Sequence, residues 1–261
     1  MKRRDLPLLA ALTAVAAPAP AQDEPICADR PGVGTPPCVT ERGRVVAELG
    51  AVSWTLDREG GARTDTIVAG DVLTRIGIGG GTELQLGWTA FGHVRGRMDG
   101  AVESVSGIGD VTVGVLKGVV DGDGVALSVL GRATLPLGGA AIGAGDWSAS
   151  LLVPVEVDLG GPLSLGLTPS IAAEVDQDRR GRHLAYGLVT GLTADFETHL
   201  FGIELAVDRD DDPAGQGTPM VLAFSGGWRP DPNLQFDAGT NLGLNDDADD
   251  LQLYVGLSKR F

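Results

Sequence analysis

LQLYVGLSKRF (residues 251–261) sets Leu251, Leu253, Val255 and Leu257 at every second position and stops on Phe261. Successive side chains of a strand point to opposite faces, so these odd positions share one apolar surface. Gln252, Tyr254, Gly256 and Ser258 share the other. What the apolar surface faces decides the fold.

The same split recurs upstream. Leu184, Tyr186, Leu188, Thr190, Leu192, Ala194 and Phe196 alternate with Ala185, Gly187, Val189, Gly191, Thr193 and Asp195, and Phe201, Ile203, Leu205 and Val207 alternate with Gly202, Glu204, Ala206 and Asp208. From Arg44 onward the chain divides into twelve strand-like runs, near 44–56, 65–78, 82–95, 108–120, 124–136, 147–159, 162–175, 183–196, 199–208, 218–229, 233–244 and 250–261. No helical periodicity intervenes, and 40 Gly residues favour turns and bulges over long helices.

A soluble sandwich also alternates, but two features favour a membrane. Runs of about 10–14 residues exceed the usual sandwich strand of about 5–6 and suit a tilted bilayer span of about 9–11. The connections also alternate in kind. GIGGG, VDGDG, LGG, FETH and RPDPN are short, whereas RGRMDGAVESVSG, LPLGGAAIGAG, VDQDRRG, RDDDPAGQG and NDDADD are longer or charged. Short turns at one surface and longer loops at the other mark a transmembrane meander. Closure is required, because an open edge in hydrocarbon leaves backbone groups unpaired at several kcal/mol each. The expectation is an all-β fold, a single antiparallel up-and-down transmembrane barrel of about 12 strands over residues 44–261, with short periplasmic turns. Trp88, Trp147, Phe196, Phe201, Trp228 and Phe261 fall near strand ends, where interfacial girdles sit.

The first 21 residues read as a secretory signal peptide: Lys2, Arg3 and Arg4, an apolar run to about Ala17, and a small-residue Ala19-Pro20-Ala21 site. The chain carries a formal charge of -15. Losing that basic leader makes the rest more acidic still, which argues against nucleic acid as a partner. Export also reads Cys27 and Cys38 as a disulfide, since exported compartments are oxidising and the pair closes a short Pro-rich loop. Two thiolates without a nearby His are too few for a closed zinc site. Residues 22–43 are irregular by composition, with Pro25, Pro31, Pro36 and Pro37. They are expected either in the periplasm or folded into the lumen as a small plug.

Asp29-Arg30-Pro31-Gly32 before the first strand, SGIGDVTVGVLKGVV (106–120) and the Gly-Leu-Asn-Asp stretch at 243–246 before a last strand ending on Phe261 carry a family resemblance. Together they resemble the outer-membrane β-barrel family labelled as transporters of the phenol meta-degradation pathway. The resemblance runs over nearly the whole chain after residue 21. It implies the outer membrane of a Gram-negative cell, with lipid and lipopolysaccharide as surroundings. It also implies passive passage of small, hydrophobic or aromatic solutes, with a filled structural or adhesion barrel as the alternative. Resemblance to outer-membrane barrels generally implies that Tyr254, Val255, Leu257 and Phe261 are read by the barrel-assembly machinery. Lys259 departs from such signals by standing at an outward position, where its stem can snorkel.

Alternation assigns Glu48, Asp71, Arg75, Glu83, Arg95, Asp110, Arg132, Glu156, Glu174, Glu204, Arg229 and Asp237 to the lumen. Crossing Arg–carboxylate pairs there are struts, or the acidic excess lines a cation-biased path. No cofactor and no metal site are expected, and no catalysis. His93, His183 and His199 lack a Ser in a nucleophile motif, and His183 stands beside Arg180 and Arg182. The acidic stretches 208–215 and 244–250 read as solvated loops, or as sites for cations bridging to lipopolysaccharide phosphates.

Overall fold

Alternation becomes fourteen antiparallel strand segments in a computed structural model that describes residues 24–139 and 142–261. They are β1 (Val45–Asp57), β2 (Arg63–Gly77), β3 (Thr82–Met98), β4 (Ala101–Gly107), β5 (Val111–Gly122), β6 (Val125–Leu135) and β7 (Ser148–Leu152). Then come β8 (Val155–Gly160), β9 (Leu163–Val175), β10 (Arg182–Asp195), β11 (His199–Asp210), β12 (Met220–Asp231), β13 (Leu234–Gly243) and β14 (Leu251–Arg260). The signal-peptide reading lies outside the described residues.

Two interruptions reconcile fourteen segments with twelve spans. β4 and β5 form one span broken at 108–110, and β7 and β8 form one span broken at Val153-Pro154. Proline lacks the N–H a ladder needs, yet Ser128 N donates to Pro154 O at 2.9 Å and Val153 N to Pro169 O at 3.0 Å, so pairing continues past the break. The sheet closes where β14 pairs with β1, Leu257 opposite Leu49, giving a closed antiparallel barrel of twelve strands. Val45 and Phe261 exchange backbone hydrogen bonds in both directions, so the first strand begins where the last one ends.

The apolar set faces out: Leu86, Phe91, Val115, Ile171, Leu188, Ile203, Leu253 and Val255 are all exposed. At the short-turn end Trp228 stacks on Phe236 with centroids 5.7 Å apart, and Phe196 meets Phe201 edge-on at 6.5 Å. The buried set is instead polar, with Glu48, Arg75, Glu83, Gln235 and Ser258 almost inaccessible. An inside-out distribution of this kind is what a bilayer as outer solvent demands.

Two sequence expectations need correction. The stretch 96–107, read as a loop, is a hairpin: β3 runs to Met98 and pairs with β4 from Met98↔Ala101 to Gly92↔Gly107. Arg95, assigned to the lumen, lies on the outer face. Glu48 and Ser53 both face inward although an odd number of steps separates them, and the same holds for Asp71 with Val68 and for Thr89 with Gly92. One extra residue in each of three neighbouring strands, Ala51, Gly70 and Ala90, reverses the alternation above that row. Arg95 then shares the face of exposed Phe91.

Candidate functional site

Residues 24–43 run inside the barrel, and the inward polar side chains hold them there. A Pro-rich segment offers few self-satisfied backbone groups, and buried N–H groups require partners. Here carboxylates supply them in pairs. Glu48 accepts from Asp29 N at 2.9 Å and Arg30 N at 3.0 Å, and Glu204 from Val33 N at 2.8 Å and Gly34 N at 3.0 Å. Glu83 accepts from Thr40 N at 2.7 Å. Other strands reach the carbonyls: Gln235 Nε2 donates to Arg30 O at 2.7 Å, Thr168 Oγ1 to Thr35 O at 3.1 Å, and Ser128 Oγ to Pro37 O. Contacts thus come from β1, β3, β6, β9, β11 and β13, around the whole wall.

Arg75 is the centre of this hold. Its side chain is 2 % exposed and pairs with Glu83 at 2.8 Å and Glu48 at 3.5 Å. Its two terminal nitrogens also donate to Cys27 O at 2.9 Å and Cys38 O at 2.8 Å. Cys27 and Cys38 are joined as a disulfide with Cα atoms 6.4 Å apart, so one guanidinium grips both ends of the closed loop. Arg30, inside that loop, bonds Asp237 at 2.9 Å and lies over the Tyr254 ring at 5.4 Å. Glycine permits this approach, because a Cβ on Gly256 would stand 2.5 Å from Arg30 Nε. At the short-turn rim Arg260 binds Glu41 at 2.9 Å and Glu24 O at 2.7 Å.

From the long-loop end a second segment dips in. Asp110 accepts from Gly138 N and Ala144 N, both at 2.8 Å, and Arg182 holds the far end by pairing with Asp146 at 2.9 Å and lying 3.7 Å over the Trp147 ring. Ile142 is thereby set against Gly92, where a Cβ would be 2.4 Å from its Cδ1. Between Ile142 above and Arg30 below is a chamber of about 350 Å³, lined by Ser53, Val68, Asp71, Thr89, Gln252 and Tyr254 among others. A smaller cavity of about 160 Å³ shares Arg30 with it and lies between the segment and β8–β13. A third, of about 590 Å³, opens toward the short-turn end and shares Cys27, Pro36, Pro37 and Glu156 with the second.

The lumen-lining residues expected from sequence therefore divide by partner. Glu48, Arg75, Glu83, Glu204 and Asp237 hold the internal segment. Arg229 pairs with Asp195, Arg132 reaches Gln85 at 3.4 Å, and Asp110 anchors the inward loop. Asp71 accepts from Thr89 in the chamber wall at 2.8 Å, Glu156 borders two cavities, and Glu174 sits opposite His183 on β10. Of the terminal signal residues, Val255 and Phe261 are exposed on the outer face, while the Tyr254 ring lies inside against Arg30.

Sequence reasoning missed two histidine arrangements. His93 Nδ1 is 2.7 Å from Ser106 Oγ on β4, and among the described residues no carboxylate hydrogen-bonds to the ring. His183 meets carboxylates rather than the arginines beside it in sequence: Asp176 at 3.1 Å, Asp210 at 2.7 Å and Asp212 at 3.5 Å. Backbone amides, Ala214 first and then Gln177, hold the Asp212 carboxyl below the ordinary aspartate range. The signal was the acidic run at 208–215 with a lone His one strand away, and only the pairing of β10 with β11 brings them together.

No curated protein matches the chain. Among solved structures it is similar to the NanC porin, at 10% identity and TM-score 0.53, over 82% of this chain and 98% of that one. It is also similar to the translocator domain of autotransporter NalP from Neisseria meningitidis, at 15% identity and TM-score 0.52, over 84% and 88%. These likenesses bear on fold alone: a closed barrel of the kind found in outer-membrane proteins. The relationship that reaches further is in sequence, where a family model matches residues 28–261, and the chain belongs to the family described as "Putative MetA-pathway of phenol degradation".

Proposed function

We propose that the protein is an outer-membrane channel through which small solutes diffuse, with residues 24–43 as its internal constriction on the periplasmic side. The observation that carries this reading is a series of three neighbouring cavities: the chamber below Ile142 shares the Arg30 wall with the second, and the second shares Cys27, Pro36, Pro37 and Glu156 with the third. A barrel filled only for rigidity has no need of such space, and about 350 Å³ falls within the usual range of small-molecule sites. The chamber mixes Val68, Ile142 and the Tyr254 ring with Ser53, Asp71, Thr89 and Gln252. That lining suits a solute with an apolar body and one polar group, in keeping with the aromatic compounds of the family description. The short-turn end is periplasmic in this reading, and the long loops are extracellular.

The test is single-channel recording from the refolded chain lacking the leader, in a planar bilayer. Small steps that enlarge or open more often in Glu204→Gln support the channel, since that change loosens the clip on Val33 and Gly34. Millimolar ring-bearing alcohols should shorten those openings by occupying the chamber. Stable insertion without steps in either protein overturns the channel and leaves the non-conducting structural barrel, for which the buried Arg75–Glu48–Glu83 cluster speaks.

A further inference from the structure

We propose that His183, Asp176 and Asp212 form a site for a divalent transition-metal ion of the zinc class at the long-loop rim, tying the β9–β10 turn to the β11–β12 loop. The three residues come from separate places. Asp176 follows β9, His183 is the second residue of β10, and Asp212 lies in the loop after β11. Strand pairing brings them together, and their donor atoms lie within 4.8 Å of one another. His183 Nδ1 is 3.1 Å from Asp176 Oδ1 and 3.5 Å from Asp212 Oδ2. Bonds of about 2.0–2.2 Å directed to tetrahedral or octahedral positions put neighbouring donors about 3–3.5 Å apart, so the spacing suits a shared cation.

A second observation points the same way. The His183 side chain is only 5 % exposed, yet its Nε2, also buried, has no aligned hydrogen-bond partner. Asp210 Oδ1 is 2.7 Å away but off the line that a hydrogen bond needs. With Nδ1 on a cation, the proton of a neutral ring sits on Nε2, and Asp210 is the carboxylate beside it, the kind of outer partner that metal-bound histidines commonly use to fix ring and tautomer. Asp210 is then a positioning residue and not a ligand. One imidazole nitrogen with two carboxylate oxygens selects against calcium and magnesium, which take oxygen donors, and leaves positions for water. Asp212 is already fixed, with Oδ2 accepting from Gln177 N at 2.7 Å and Oδ1 from Ala214 N at 2.6 Å. Binding therefore cross-links two loops through a carboxylate that each of them touches.

The experiment is calorimetric titration of Zn²⁺ into the untagged, refolded chain in detergent after chelator treatment, with Ca²⁺ in parallel. One Zn²⁺ per chain is expected, with affinity lowered at least 100-fold in His183→Gln and about 10–100-fold in Asp210→Asn, the usual effect of losing an outer carboxylate. Asp247→Asn, in the neighbouring acidic loop, should bind as the parent does. Hydrogen exchange should slow at 176–182 and 211–217 when Zn²⁺ is present. Should His183→Gln not fold, Co²⁺ bound to the parent must still give ligand-field bands of a nitrogen-containing site. Absence of saturable Zn²⁺ binding overturns the site and leaves an imidazolium clamp among carboxylates. Binding that survives His183→Gln, or equal binding of Ca²⁺, overturns it in favour of a diffuse acidic surface.

Discussion

Replacing Arg75 with Met should release residues 24–43 from the wall while leaving the barrel closed. Methionine keeps an unbranched apolar stem in the same space but removes the donors to Cys27 O and Cys38 O. Hydrogen bonds from a charged group contribute about 1.5–3 kcal/mol each, so two of them hold the segment by about 3–6 kcal/mol. At about 1.4 kcal/mol per tenfold, the undocked fraction rises by about 10² to 10⁴. The same change strands Glu48 and Glu83, and breaking a buried pair costs about 3–5 kcal/mol in its own right. Arg75→Met with Glu83→Gln separates the two effects by removing one stranded charge. Hydrogen exchange of peptides covering 24–43 reads the result, because their amides are protected by the carboxylates of Glu48, Glu83 and Glu204. Exchange there should quicken at least about 100-fold in both variants, with β9–β11 unchanged. An increase below about threefold, in a protein that still shows the mobility of a folded barrel, would refute the claim that Arg75 holds the segment.

Glu204→Gln puts a non-accepting NH2 in place of one of the two oxygens that take Val33 N and Gly34 N, so one of these bonds is lost and exchange at Val33 and Gly34 should rise about tenfold, and little elsewhere. At Gly77 a Cβ would meet Glu41 O at 2.1 Å and Thr40 O at 2.4 Å, so Gly77→Ala must push the segment's exit away; a loss of about 1–3 kcal/mol, seen in denaturant unfolding, is expected. Gly92→Ala displaces Ile142, and conductance should rise as the upper constriction widens, while thermal stability changes little. Asp237→Asn weakens the hold on Arg30, and opening frequency should increase without a change in the size of the open step.

What the sequence made legible was whatever repeats with the strand period. Leu253 and Val255, or Leu188 and Leu192, announce an outer face because polar and charged side chains become costly toward the middle of a span. The row Ala51, Gly70 and Ala90 was illegible for the opposite reason: small residues fit either face, so nothing marks the reversal that carries Arg95 outside. The place of residues 24–43 was undecidable between lumen and periplasm, since their binding uses backbone amides that every sequence possesses. The partners of that backbone were legible as inward acids, though not the task they share. His183 and its carboxylates lie on separate segments, and only the strand register reveals their meeting.

Arg30 and its neighbours also bear on the order of assembly. The internal segment precedes β1 yet touches Glu48 on the first strand, Asp237 on the second-last, and Tyr254 and Arg260 on the last. It bridges the seam at which the two ends of the chain must find each other across more than two hundred residues of intervening sequence. A barrel sealed without it would have to admit a disulfide-closed loop through a finished rim. The order expected from these contacts is a template, with the segment docked on β1 before β13 and β14 arrive, and pulse-labelled exchange during refolding should then protect the amides of Asp29 and Arg30 before those of β14. In that role the loop acts once, as the mandrel on which the cylinder is closed.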